Sequence, residues 1–188
     1  MKAGVITLPG DALGAQPSLA DWLEFNAAYV EAEAPKVEPH GDLSPMLIAH
    51  NDDGPVTLIC ASWDSSEEKV AIFRAFAAYL KHAGANRYAT ITAAWMVDMS
   101  SKQYTPEEVA EMTKRIDAEG TAAYPDLRRE CYQIAVGDKT KTLMQTLMVK
   151  RSEGGRIIGL ERMKEIPGDS SVDLITGRLV DLLREPQA

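Results

Sequence analysis

The sequence has few of the features that mark membrane, secreted and metal-binding proteins. Its 188 residues contain two cysteines, Cys60 and Cys131, at a separation that matches no zinc-ligand spacing. The longest apolar runs, such as Val56–Ala61, are far shorter than the roughly 20 residues of a membrane-spanning helix. The apolar patch at the N-terminus is interrupted by Pro9, too early for a secretory signal. We therefore expect a cytoplasmic protein with two buried thiols, no metal site and no cofactor.

Positive charge is also scarce. A net charge of −8 argues against direct nucleic-acid binding and against attraction to an anionic membrane. The charge is uneven, because residues 1–127 carry 9 basic and 19 acidic side chains, whereas residues 128–164 carry 9 basic and 4 acidic ones. Two interpretations remain open: an arrangement that favours self-association or a protein partner, or a solvated surface whose fields largely cancel. We favour the solvated surface.

Common catalytic signatures are missing as well. The chain contains no P-loop, no G-x-G-x-x-G, no G-x-S-x-G and no H-E-x-x-H. Their absence argues against most nucleotide-dependent enzymes and against the common hydrolase families.

Alternating and helical apolar patterns are present along most of the chain. Helix-start residues followed by 3.6-residue periodicity predict four helices, beginning near Ser18, Asp64, Thr105 and Ser171. Short apolar runs bounded by turn residues predict strands over Met46–His50, Val56–Trp63, Arg87–Val97, Glu130–Val136, Thr142–Arg151 and Arg156–Lys164.

The order of these elements predicts an α+β fold. Strands that follow one another through short turns pair antiparallel, so we expect a largely antiparallel sheet of about five to six strands covered by helices. Residues 1–17 are predicted to form an N-terminal arm, and residues 18–188 a single domain with a helical insertion at about 100–120. The last three strands are apolar on both faces, which predicts helices on one face and a second subunit, in a symmetric homodimer, on the other.

The stretch whose residue types best suit catalysis or metal binding is His50-Asn51-Asp52-Asp53, between two apolar runs. An imidazole beside carboxylates is suited to acid–base catalysis or metal binding, and we consider His50 and Asp52, with Glu161, as candidate catalytic residues. The spacing matches no metalloenzyme motif, however, and Asn-Asp-Asp-Gly-Pro is typical of a turn between strands. We favour the turn.

The turn after residue 149 carries three cations, Lys150, Arg151 and Arg156. They are the best candidates for binding an anion or a protein partner. Charged residues at a strand turn also prevent sheets from aggregating, and we favour this simpler role. Trp95, in an alternating strand, is predicted to belong to the core rather than to a ligand site. Cys131 is predicted to be an ordinary sheet residue.

Two segments carry a resemblance to a known group of proteins. The run "RYATITAAWMVD", followed by "AAYPDLRRE", resembles small uncharacterised bacterial and phage-associated α+β proteins. In that group an acid precedes Ala-Trp, where this chain has Ala93, and Leu127 interrupts the Pro-Asp-Arg run. The resemblance spans about residues 45–165. It implies a fold but no catalytic residues, because no activity is assigned to the group.

We expect a non-enzymatic binding or accessory protein, related to a phage or mobile element. Two alternatives remain open. One is a small metal- or acid-assisted hydrolase that uses His50 and Asp52. The other is an acidic inhibitor that mimics nucleic acid and blocks a basic partner.

Overall fold

A computed structural model describes residues 3–8, 18–51, 56–61, 66–99 and 103–163 of the chain. Within these residues the helices are α1 (Leu19–Glu33), α2 (Ser66–His82) and α3 (Pro106–Glu119). The strands are β1 (Ala3–Leu8), β2 (Met46–His50), β3 (Val56–Ala61), β4 (Arg87–Val97), β5 (Arg128–Asp138), β6 (Thr142–Arg151) and β7 (Ile157–Arg162).

The strands form one antiparallel sheet in the order β1-β3-β2-β4-β5-β6-β7. The predicted α+β fold, with an antiparallel sheet covered by helices, is therefore confirmed. Among the described helices, none is both long and apolar enough to cross a membrane.

Local signals explain where the helices begin. Ser18 caps α1 by accepting a hydrogen bond from the Asp21 backbone N–H at 3.1 Å. Thr105 and Glu108 form a reciprocal capping box at the start of α3, with bonds of 2.8 and 3.2 Å. Both starts are confirmed as predicted. Gly84, which follows α2, has the positive φ of 65° that suits a residue just beyond a helix.

α1 packs on one face of the sheet, which we call the α1 face. Strand alternation brings Met46, Ile91, Tyr132, Ile134 and Leu147 to this face. They contact the buried side of the helix, formed by Leu19, Trp22, Leu23, Ala27 and Val30. Tyr29 lies outside this buried side, and its side chain is 40% exposed.

α2 packs on the opposite face, which we call the α2 face. Leu47, Ala49, Ile59 and Tyr88 alternate with the residues of the α1 face and contact Ile72, Phe73, Phe76 and Leu80 of this helix. We expected the last three strands to be covered by helices on one face and by a second subunit on the other. A helix lies on each face of the sheet, because the apolar stripes of α1 and α2 both require a sheet to cover them. The strand residues that α2 contacts belong to β2, β3 and β4, so a second subunit over β5, β6 and β7 stays a prediction.

The strand β1 was not predicted. It pairs with β3 from Ala3 opposite Ala61 to Leu8 opposite Val56. Residues 1–17 were interpreted only as an arm because β1 has no neighbouring strand in sequence and so lacks a hairpin signal. Its β-branched residues Val5, Ile6 and Thr7 were the available clue.

Several predicted features lie outside the described residues. They are the tip of the turn between β2 and β3, at 52–55, and the helix predicted from Ser171 to about Arg184. The two strands beside that turn do pair antiparallel, with Ala49 opposite Thr57. α3 lies between β4 and β5, at the position of the predicted helical insertion, and these two strands pair along their whole length.

Candidate functional site

The structure places His50 in the interior. His50 is the last residue of β2 and only 5% exposed, and its ring lies edge-on to that of Trp22 at a centroid distance of 5.9 Å. Its neighbour in the candidate catalytic set, Asp52, lies outside the described residues. His50 therefore contributes to the packing between α1 and the sheet, a position that a buried imidazole in aromatic contact commonly takes.

Glu161, the third catalytic candidate, is far from His50. It lies on β7 and forms an exposed ion pair with Lys150 at 2.7 Å. Three strands separate β7 from β2, which corresponds to about 19 Å at the usual strand spacing. Met148 follows Leu147 in β6 and therefore points to the α2 face. Glu161 is paired with Met148, so it lies on the α2 face too, whereas His50 lies on the α1 face. The structure does not bring these two candidates together.

The three cations of the turn after residue 149 are separated in the structure. Lys150 lies over Glu161 on the α2 face. Arg156 is exposed, and its backbone N–H donates a hydrogen bond to Ser152 Oγ at 3.2 Å. Arg151 instead turns inward and is only 18% exposed. These three residues do not form a single anion-binding site, because side-chain alternation along β6 places Lys150 and Arg151 on opposite faces of the sheet.

Arg151 is the centre of a cluster of polar side chains. We call this group, formed by Asp42, Glu130, Tyr132 and Arg151, the Arg151 cluster. Arg151 Nε donates to Glu130 Oε2 at 2.8 Å, and its Nη2 also contacts the second oxygen of that carboxylate. The same Nη2 donates to Asp42 Oδ1 at 2.7 Å. The guanidinium thus bridges two carboxylates, a charge-assisted geometry that resists displacement.

The same side chain fastens two loops. Arg151 Nη1 donates to the carbonyl oxygen of Gly155 at 2.8 Å, and Nη2 donates to that of Gly41 at 3.0 Å. The backbone N–H of His40 donates to the Gly155 carbonyl at 3.0 Å. Gly155 has a φ of 77°, and a Cβ on it would collide with the His40 ring. Arg151 therefore holds the loop before β2 against the turn between β6 and β7.

Tyr132 is the fourth member of the cluster and contacts it through its hydroxyl group. Its hydroxyl accepts a hydrogen bond from the Leu43 backbone N–H at 3.0 Å and donates to Asp42 Oδ1 at 3.4 Å. Burial raises the pKa of Tyr132 to about 12, so this hydroxyl stays protonated.

The two carboxyl groups of the cluster are shifted in opposite directions. Burial, with the hydrogen bond and charge of Glu130, raises the pKa of Asp42 above its ordinary value. Burial also acts to raise the pKa of Glu130, but hydrogen bonds from Arg151 and Asp42 outweigh it and leave that pKa lowered. One carboxyl group is thus biased toward its protonated form and the other toward its ionised form.

A second feature lies beside this cluster on the same face. Trp95 is directly opposite Glu130 in the β4–β5 pairing, and its side chain is 50% exposed. The guanidinium of Arg128 stacks over the indole, with its central carbon 4.0 Å from the ring centroid. We call Trp95 and Arg128 together the Trp95 surface. The prediction that Trp95 belongs to the core is wrong, because the α1 packing does not extend to this end of β4.

Arg128 is not neutralised by the residues around it. Within the described ranges no carboxylate forms an ion pair with it, and its Nε is buried without a hydrogen-bond acceptor. An arginine buries a donor without a partner only at a cost, since its charge and its five N–H groups prefer water or an anion. The guanidinium as a whole thus carries a charge that no described carboxylate neutralises, beside a half-exposed indole.

The remaining candidates carry no chemistry of their own. Cys131 is fully buried, and burial raises its pKa to about 12, so it stays a protonated, unreactive thiol. The side chain of Cys60 lies outside the described part. In the part that is described, no three His, Cys, Asp or Glu side chains meet in a metal-binding group.

Sequence reasoning missed the Arg151 cluster and the Trp95 surface for different reasons. Asp42 and Arg151 are 109 residues apart, so nothing local links them. Trp95 was predicted within a strand, but Arg128 precedes the predicted strand Glu130–Val136, so the sequence pattern did not pair these two residues. In comparisons with protein-family models, curated proteins and solved structures, no match to this chain was found, and the resemblance to phage-associated proteins stays a prediction.

Proposed function

We propose that the protein is a non-enzymatic binding protein that holds a protein partner through the Trp95 surface. The observation that carries this proposal is Arg128, a guanidinium that forms no ion pair with a described carboxylate and is stacked on a half-exposed tryptophan. Tryptophan and arginine are the residue types that most often dominate the binding energy of protein interfaces. A partner that presents a carboxylate beside an apolar side chain satisfies both residues.

The β-sheet supports this role by holding the two side chains rigidly. Trp95 and Arg128 lie on adjacent, fully paired strands, and the neighbouring Arg151 cluster fixes the loop beside them. A surface held in its bound geometry loses little conformational entropy on binding. The predicted homodimer remains compatible with this proposal, with a second chain as one such partner.

A second candidate function rests on the Arg151 cluster. Two adjacent carboxyl groups whose pKa values are pushed apart are the usual arrangement for acid–base catalysis. In an acid-assisted hydrolase, Asp42 would donate a proton and Glu130 would accept one. We rank this function second because Arg151 already occupies oxygens of both carboxylates.

The acidic-inhibitor alternative requires a partner of the opposite charge. A nucleic-acid mimic binds a basic protein, whereas the Trp95 surface requires an acidic one. Binding to a basic partner that is indifferent to Trp95 and Arg128, and that nucleic acid displaces, would therefore favour the inhibitor.

The test begins with affinity capture from extracts of the source cells, using wild-type protein as bait. A retained protein is purified, and its Kd is measured by calorimetry against wild type, Trp95→Ala and Arg128→Gln. Ile158→Ala is the matched control, since Ile158 is an exposed apolar residue at another site, on β7. We expect each test variant to raise the Kd at least about tenfold, as hot-spot residues do, and the control to leave it unchanged.

Two results would count against the proposal. One is a retained partner whose Kd changes in neither test variant. The other is a hydrolytic activity that is lost in Glu130→Gln and kept in Trp95→Ala, which would favour the second candidate.

A further inference from the structure

The outward side of α1 carries apolar residues where a surface helix normally carries polar ones. Phe25, Ala28, Tyr29 and Ala32 are all exposed, at positions i, i+3, i+4 and i+7. Residues at this spacing lie on one line along a helix. Phe25 is 57% and Tyr29 is 40% exposed. We call these four residues the α1 strip. It is separate from the Trp95 surface, which is built on β4 and β5.

Acidic side chains border the strip. All four charged residues of α1 are acidic, namely Asp21, Glu24, Glu31 and Glu33. Arg162 on β7 bonds to Glu24 and Glu31 at 2.6 to 2.9 Å, and Lys36 bonds to Glu33 at 2.6 Å. In the described part of the chain these two cations pair with Glu24, Glu31 and Glu33, and no cation pairs with Asp21, so the acids of α1 outnumber the cations that bind them. Residues 1–127 share this bias, with 9 basic and 19 acidic side chains.

The size of the strip limits what it can bind. A phenylalanine or tyrosine side chain offers roughly 200 Å² in full, so two that are about half exposed, with two alanines, offer on the order of 300 Å². A stable dimer needs about 800 Å² from each partner. A second copy of this chain would also bring the four acids of one α1 against those of the other. Size and charge together favour a single helix of positive charge over a second copy.

We infer that the α1 strip is a docking site for a cationic amphipathic helix. Apolar residues of the incoming helix, at i, i+3/i+4 and i+7, pack on Phe25 and Tyr29, and the small Ala28 and Ala32 let the two helices approach closely. Lysine or arginine residues on the edges of that helix face Asp21, which pairs with no described cation, and the two carboxylates of Glu24 and Glu31, which share the single charge of Arg162. The strip and the Trp95 surface therefore take partners of opposite charge.

The probe is a synthetic peptide of about 18 residues, or five helical turns, with leucine at the apolar positions and lysine elsewhere. Two control peptides accompany it. In one, glutamate replaces lysine, and in the other the leucine and lysine order is scrambled so that no apolar face forms. Binding of each fluorescently labelled peptide to the full chain is measured by anisotropy, at low and at raised salt.

The protein variants are Phe25→Ala/Tyr29→Ala and the matched control Trp95→Ala, each a removal of exposed aromatic surface. Alanine favours helices, so the double variant keeps α1 intact, which circular dichroism verifies. We expect the leucine–lysine peptide to bind wild type and Trp95→Ala alike, and the double variant at least tenfold more weakly. The glutamate and scrambled peptides should bind wild type at least tenfold more weakly than the leucine–lysine peptide.

Several outcomes would overturn the inference. They are no saturable binding by wild type, equal binding by the double variant, or equal binding of either control peptide. A loss in Trp95→Ala as large as in the double variant would also overturn it, because the peptide would then occupy the Trp95 surface. None of these results bears on whether an acidic partner binds that surface, so the two proposals fail separately.

Discussion

Two arginines at the same end of the sheet, Arg151 and Arg128, are held in opposite ways. Arg151 donates hydrogen bonds to two carboxylates and two backbone carbonyls and is largely buried. Arg128 lies over the ring of Trp95 and, in the described residues, meets no carboxylate. A charge satisfied within the chain contributes to the structure, whereas a charge left over is available to a partner. The comparison thus separates a structural arginine from a binding one.

The strongest test of the comparison is removal of the structural arginine. Arg151→Ala leaves Glu130 and Asp42 partly buried without their cation, and breaking a buried pair in this way costs about 3 kcal/mol. We expect the free energy of unfolding, measured by urea denaturation, to fall by about that amount. Arg156→Ala, from the same turn but exposed, should change it by less than about 0.5 kcal/mol. Equal losses of stability in Arg151→Ala and Arg156→Ala would show that Arg151 has no special structural role.

The loop that Arg151 fastens provides the next test. Gly155→Ala forces a side chain into a positive φ and against the His40 ring, and such strain costs about 2 kcal/mol. Gly154→Ala is the control, because the nearest atom to its added carbon is Ser152 Oγ at 3.9 Å. Urea denaturation should show a clear loss only for Gly155→Ala. Hydrogen exchange should also show faster exchange at the His40 N–H, since its acceptor is the Gly155 carbonyl.

The contributions of Glu130 and Asp42 to the free energy of unfolding should change with pH in opposite directions. Because the folded-state pKa of Glu130 is lowered, its contribution to stability is present above the unfolded pKa and is lost as pH falls through the folded one. The pKa of Asp42 is raised, so its favourable contribution is present at low pH and is lost as pH rises through the folded value. At pH 7 we expect Glu130→Gln to lower stability by about 1 kcal/mol and Asp42→Asn to leave it equal or higher.

The control for Glu130→Gln and Asp42→Asn is the same measurement of unfolding free energy at acidic pH. Below the unfolded pKa values of both groups, near pH 3.5, the advantage of Glu130 over glutamine shrinks, and the two variants should converge. A stability gap that is constant from pH 3.5 to pH 7 would show that protonation is not its cause.

The smallest effect is expected at the binding arginine. Arg128→Met keeps an unbranched side chain over Trp95 and removes a buried donor that lacks an acceptor, so stability should change by less than about 0.5 kcal/mol. Arg151→Met, with the same change in side chain, should cost several times more. A loss for Arg128→Met comparable to that of Arg151→Met would mean that Arg128 also serves the fold.

The sequence predicted those parts of the structure that depend on neighbouring residues. The helix starts at Ser18 and Thr105 follow from the conformations of single turns, and both are confirmed. The antiparallel order of β5, β6 and β7 was predictable because short turns connect them.

The site depends on distances that no local pattern encodes. Alternation along β4 correctly assigns Trp95 to one face of the sheet, but it does not tell how far along the strand α1 extends. Arg151 was assigned to an exposed turn because its carboxylate partners, Asp42 and Glu130, come from a distant loop and from another strand. In both cases the sequence determined the direction of a side chain, and tertiary packing determined its exposure.

The pairing of β1 with β3 has a consequence for how the chain assembles. β5, β6 and β7 meet through short connections, whereas Ala3 pairs with Ala61 across a long segment that contains α1 and β2. Closing that long loop has an entropic cost before any ladder bond is gained. We expect β1 to pair with β3 more slowly than the strands that short turns connect. Until then the edge of β3 is open to pairing with a second, incompletely folded chain.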